Sequence, residues 1–149
     1  MNISSAPGRY PKLAGTEPVG AEPAELTDEE LLRFVVSPLA ACAGSALDPD
    51  DWFPVATAAA RARAEAFGAL AVCAACPVRA ECLELSLRHW RSAGRHGIWG
   101  GLVETDRNAL RREWLKGVPV TELLSGRPIA PQPRLPRQPA VPYQLPQIA

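Results

Sequence analysis

Apolar positions along the chain come in short runs set off by proline, glycine and acidic residues. The first run is Leu31, Leu32, Phe34, Val35 and Val36. It follows Thr27-Asp28-Glu29-Glu30, in which Thr27 caps a helix and Glu30 reaches back to its amide. This predicts a helix from Asp28 to Val36, ending near Pro38. Asp48-Pro49-Asp50-Asp51-Trp52-Phe53-Pro54 reads as a loop with turn chemistry. From Thr57 to Ala71 the chain is alanine-rich, with Arg61, Arg63 and Glu65 for solubility, and predicts a second helix in spite of Gly68. Pro77 suits the first position of a third helix running to about Arg91. Gly94, Gly97, Gly100 and Gly101 then break the chain into a turn. Thr105 is placed to cap a fourth helix through Asp106, Leu110, Arg111, Arg112, Trp114 and Leu115, ending near Gly117.

The flanks have no such register. Residues 1–25 are rich in Gly, Pro, Ala and Glu, and read as a disordered arm. Residues 118–149 carry eight prolines and read as an extended or disordered basic tail. The expected folded unit is residues 26–117, all-α, with three to four short helices and no sheet. A unit of that size is marginal on hydrophobic burial alone, and a metal staple would close the gap.

Net charge is zero but unevenly spread. Residues 1–82 hold 6 Lys/Arg against 11 Asp/Glu, and residues 83–149 hold 10 against 5. Any nucleic-acid contact is therefore expected in the C-terminal half. Neither a signal peptide nor a transmembrane-length apolar run is visible, so a cytoplasmic protein without membrane association is expected. Thiols are kept reduced in that compartment, which makes four cysteines metal ligands or redox groups before structural disulfides.

The four are Cys42, Cys73, Cys76 and Cys82, spaced C-x30-C-x2-C-x5-C. Four thiolates suit a [4Fe–4S] cluster, one per iron, and they also suit zinc. Zinc sites more often pair two tight knuckles, and this chain has one. A Cys73/Cys76 dithiol would leave Cys42 and Cys82 without a role. The alanines beside the ligands (Ala41, Ala43, Ala71, Ala74, Ala75) leave room for a cuboidal cluster.

The run Cys73-Ala74-Ala75-Cys76-Pro77-Val78-Arg79-Ala80-Glu81-Cys82-Leu83, followed by Gly97-Ile98-Trp99-Gly100-Gly101-Leu102, resembles the WhiB-like proteins of actinobacteria and their phages. The resemblance extends upstream to Cys42, Asp48-Pro49 and Phe53-Pro54. Downstream it takes in Glu104, Arg107, Leu110, Arg111 and Arg112. It implies a small helical wrap around a [4Fe–4S] cluster held by Cys42, Cys73, Cys76 and Cys82. It also implies a non-enzymatic transcriptional regulator responsive to redox state, oxygen or nitric oxide. The turn Gly97, Ile98, Trp99, Gly100 and Gly101 is implied to dock on the C-terminal domain of the primary sigma factor, with Trp99 as buried anchor. Trp52 and Phe53 are expected to serve as a lid over the cluster, as partner surface, or both. No small-molecule substrate is expected.

Promoter DNA is a further candidate partner. Arg107, Arg111, Arg112 and Lys116 are candidates to touch its phosphates. Ser125-Gly126-Arg127-Pro128 resembles the core of an AT-hook, a motif that slides an arginine into a narrow minor groove, with Ser125 where the motif usually has its first arginine. A plain basic Pro-rich linker is the default reading of that segment. His89 and His96 are expected as solvated side chains. The competing functions are a thiol–disulfide reductase in the metal-free form and a zinc-stapled interaction module. The reductase lacks support from any thioredoxin-like βαβ pattern.

Overall fold

The computed structural model describes residues 21–125. The arm up to residue 20, and the tail beyond 125 with Arg127 and the rest of the AT-hook-like segment, lie outside the described residues. Six α-helices make up the fold: α1 (Asp28–Val35), α2 (Ala59–Glu65), α3 (Phe67–Ala74), α4 (Arg79–Arg88), α5 (Glu104–Trp114) and α6 (Val120–Ser125). Among the described residues no strand is formed beyond one isolated bridge between Trp99 and Leu102. The fold is all-α, as the sequence predicts.

The capping box of α1 forms as read. The Glu30 amide donates to Thr27 Oγ at 3.3 Å, and the Thr27 amide donates to the Glu30 carboxylate at 2.8 Å. The alanine-rich stretch is corrected: it is two helices, broken at Ala66 (φ −90°, ψ 16°). The two halves serve different neighbours, because α2 packs on α5 while α3 packs on the segments around Cys42 and Trp52. Gly68 sits where a Cβ would meet Leu47 at 3.2 Å, so the residue that looked like a helix defect permits a close approach. Thr105 is not a cap; α5 begins one residue before it, and Val103 precedes the helix in extended conformation.

α4 is the centre of the packing. Its Leu83 and Leu87 join Leu102, Leu110 and Val120 in one cluster, with Trp90 and Trp114 at the edge. A second cluster gathers Ala62, Ala66, Leu70 and Val103, with Ile98 against it. A third gathers Leu26, Leu31 and Leu85, with Phe34 and Trp99 against it. Two flank expectations need correction here. Pro23, inside the supposed arm, is buried in a 3-10 turn, and Arg88 donates to its carbonyl at 3.2 Å. Val120, inside the supposed tail, is fully buried. The ordered unit thus runs past Gly117, because the residues up to Ser125 complete the cluster on α4.

Candidate metal centre

The four cysteines reach one place from three segments. Cys42 lies in a 3-10 turn after α1, Cys73 in the last turn of α3, Cys76 in the link to α4, and Cys82 in the first half of α4. All four line a single cavity of about 530 Å³, with walls from Val35, Ala40, Val78, Trp52, Phe53 and Trp99. Among the described residues, no three Cys, His, Asp or Glu side chains converge as ligands of one metal ion. Four thiols around one cavity suit a polynuclear cluster with one thiolate per iron.

Backbone amides point at the sulfurs. Ala41 N–H donates to Cys76 Sγ at 3.4 Å, and Gly100 N–H donates to Cys82 Sγ at 3.3 Å. The Gly101 backbone lies near Cys73 and partly offsets the effect of burial on its thiol. Such bonds stabilise charge on sulfur and tune a cluster's potential. Without metal the balance runs the other way. Burial pushes the Cys73 thiol up to about 11 and the Cys82 thiol up to about 12. A dithiol reductase needs a lowered nucleophile pKa, and Cys73 is shifted in the opposite direction.

The Gly97–Gly101 turn closes one side of the cavity. Gly97, Gly100 and Gly101 adopt φ of 67°, 56° and 71°, a region that glycine enters without steric cost. Close approach matters as much. A Cβ on Gly100 would lie 2.7 Å from Leu83 Cβ, and one on Gly97 would lie 2.8 Å from Phe53. Ile98 N–H donates to the Trp52 carbonyl at 2.9 Å, joining the turn to the Trp52–Phe53 segment. Ile98 and Trp99 pack against different clusters, and the Trp99 indole N–H is satisfied by the His96 carbonyl at 2.8 Å. Phe53 lines the cavity and stays 58% exposed beside them.

A family model described as transcription factor WhiB matches residues 38–110. Over 65 residues the chain is 40% identical to transcriptional regulator WhiB1 of Mycobacterium tuberculosis, covering 44% of this chain and 73% of that protein. The chain belongs to the WhiB family. This WhiB-family chain is also 42% identical over 65 residues to transcriptional regulator WhiB of Streptomyces coelicolor, covering 44% of this chain and 64% of that one. The same identity holds to WhiB2 of M. tuberculosis, with 44% and 63% covered. It therefore spans a little under two thirds of the length of these two relatives. No solved structure matches it. The span matched to the WhiB family holds all four cysteines and the glycine turn.

The arginines expected at DNA separate. Arg107 is a correction: its side chain is fully buried and donates to the carbonyls of Gly94, Gly97 and Leu102, out of reach of any phosphate. The signal was in the register. Val103, Arg107, Leu110 and Trp114 fall on one α5 stripe, and that stripe faces the core. Burial pulls the Arg107 pKa down to about 10, so it remains a cation at neutral pH. Arg111 is half-buried with its guanidinium 5.6 Å from the Trp90 ring centre. Arg112 and Lys116 are exposed, and Lys116 pairs with Glu113 at 2.8 Å. His89 is solvent-exposed, as expected, and meets the Asp28 carboxylate at 2.7 Å. Arg79, given no role from sequence, donates through Nε to the Gly100 carbonyl at 2.8 Å.

Proposed function

We propose that this chain is a transcriptional regulator that holds a [4Fe–4S] cluster on Cys42, Cys73, Cys76 and Cys82, and docks through its Gly97–Gly101 turn on the C-terminal domain of the primary sigma factor. The observation that carries the reading is the cavity: four thiols on the walls of one apolar space, two of them accepting from backbone amides. A cluster bound there supplies redox chemistry and reactivity toward oxygen and nitric oxide. The chain's own part is to hold the sulfurs apart, donate amides to them and keep bulk water out with Trp52, Phe53 and Trp99. Membership of a family of transcription factors supports the regulatory role. Ile98 and Trp99 immediately precede Gly100, whose amide donates to Cys82, and this supports a docking segment coupled to the cradle.

Two measurements test this. The chain is purified without oxygen, and its iron, sulfide and zinc are counted. About four iron and four sulfide per chain is expected; a colourless protein with one zinc per chain would overturn the cluster. Trp99→Ala should then weaken binding to a sigma C-terminal fragment about tenfold or more, as loss of an aromatic anchor does. Unchanged affinity would remove the turn from the interface. Arg112→Ala tests promoter contact separately: at low salt it should weaken binding of the sigma complex to promoter DNA, uniformly across sequences.

A further inference from the structure

The polar groups of the docking turn divide between two sets of partners. Its Gly100 amide serves sulfur, donating to Cys82 at 3.3 Å. The carbonyls in and beside it serve arginine. Arg107 Nε and Nη2 donate to Gly94 O at 3.2 and 2.8 Å, and Nη1 donates to Gly97 O at 2.8 Å and to Leu102 O. The acceptors lie on both sides of the turn.

Among the described residues no carboxylate lies within ion-pair distance of Arg107. A buried cation without a carboxylate is costly, and an apolar residue at this core position would serve packing better. What the guanidinium offers instead is a planar fork of five donors with fixed directions. The segment it grips needs such a hold. Three positive-φ glycines have more freedom to lose on ordering than any other residues. The mutual bonds of Trp99 and Leu102 close the turn on itself without tying it to a helix.

We propose that Arg107 is a positioning residue that fixes the Gly97–Gly101 turn to α5, and so sets together the sulfur-directed Gly100 amide and the Ile98–Trp99 docking surface. The proposal rests on the cluster-and-docking reading. Arg107 acts through backbone carbonyls, beside Arg79, which holds the Gly100 carbonyl of the same turn from α4. Trp90 supports it from below, with the Arg107 guanidinium 5.9 Å from its ring centre. Lysine at this position keeps the charge and the stem, but its single ammonium lacks the fork that spans three carbonyls.

The experiment uses the full chain, wild type and Arg107→Lys, purified without oxygen. Amide hydrogen exchange is followed in Gly97–Leu102 and in α1, together with the half-time of iron loss to a chelator. The expected result is exchange about tenfold faster in the turn, unchanged exchange in α1 and a several-fold shorter half-time. Unchanged exchange in the turn, or equal acceleration in α1, would overturn the proposal in favour of a general packing role. Trp90→Leu removes the supporting ring and leaves every Arg107 donor in place. It should accelerate the same segment more weakly, and it decides the matter where the lysine variant does not fold. If the wild type takes up no iron and sulfide, the cluster reading fails by itself, while the exchange comparison still decides what Arg107 holds.

Discussion

The cysteines of the cradle differ most at the scale of single residues. Cys42 is exposed, whereas Cys73 and Cys82 are half-buried with thiols pushed up to about 11 and 12. In the metal-free chain, alkylation with iodoacetamide at pH 7.5 should therefore mark Cys42 first, a pH about four units below the Cys73 value. Labelling of Cys73 should rise roughly tenfold per pH unit up to its pKa, as peptide mass spectrometry can follow. A raised thiol pKa favours the neutral form in the folded state. Its contribution to stability is present below the ordinary value of 9.0 and is lost as pH rises through 11 and 12. The metal-free fold should weaken in alkali for that reason. Equal labelling of all four cysteines at neutral pH would mean that the cradle does not persist without its metal. Which thiols gather at one cavity was legible in the spacing. Their unequal environments were not, since burial depends on where Leu83 and the glycine turn come to lie.

Among the elements, α1 and α4 are joined by Leu31 packed with Leu85 and by a polar junction centred on Arg88. Arg88 donates to Glu84 at 2.9 Å, to Asp28 at 3.0 Å, and to the carbonyls of Pro23, Ala24 and Leu26. The Glu84 carboxylate is almost fully buried, and its other oxygen accepts from the Trp114 indole at 3.0 Å. Arg88→Met leaves that carboxylate without its cation, and should cost about 3–5 kcal/mol in denaturant unfolding. A loss under about 1 kcal/mol would show the pair to be dispensable. Asp28 gives the same junction a pH dependence. Hydrogen bonds from Arg88 and His89 hold its carboxyl below the ordinary 3.8, so its contribution is present above that value and lost as pH falls through the folded one. The stability difference between wild type and Asp28→Asn should close on acidification below pH 3.8. Element by element, the sequence revealed what local chemistry decides, such as the Thr27–Glu30 box. It hid what long-range packing decides. Alanine propensity runs unbroken from Thr57 to Ala71, and only the two different neighbours of α2 and α3 impose the break at Ala66.

For the whole molecule, the question is where the folded unit stops. Proline density begins to rise at Pro119 and obscures the short apolar run Val120, Leu123, Leu124 that follows it. That run is too short to be a helix on its own. Packed on α4 and α5 it becomes one, and Val120 is fully buried beside Leu83, Leu87, Leu102 and Leu110. The two edges of the unit also meet, since Thr121 donates to the Glu22 carboxylate at 2.8 Å. Burying one such valine contributes about 1.5–3 kcal/mol, a large share of what a domain this small retains. A chain ending after Gly117 should therefore melt lower than the full chain by about 4–8 °C for each kcal/mol lost. A chain ending after Ser125 should melt with the full chain. The comparison is made without metal, because ligand binding to the folded state would mask the difference. If both truncated chains melt together, α6 adds nothing to the core and the boundary belongs at Gly117. If only the shorter one falls, α6 is part of the platform on which α4 presents Cys82 and receives the Gly97–Gly101 turn.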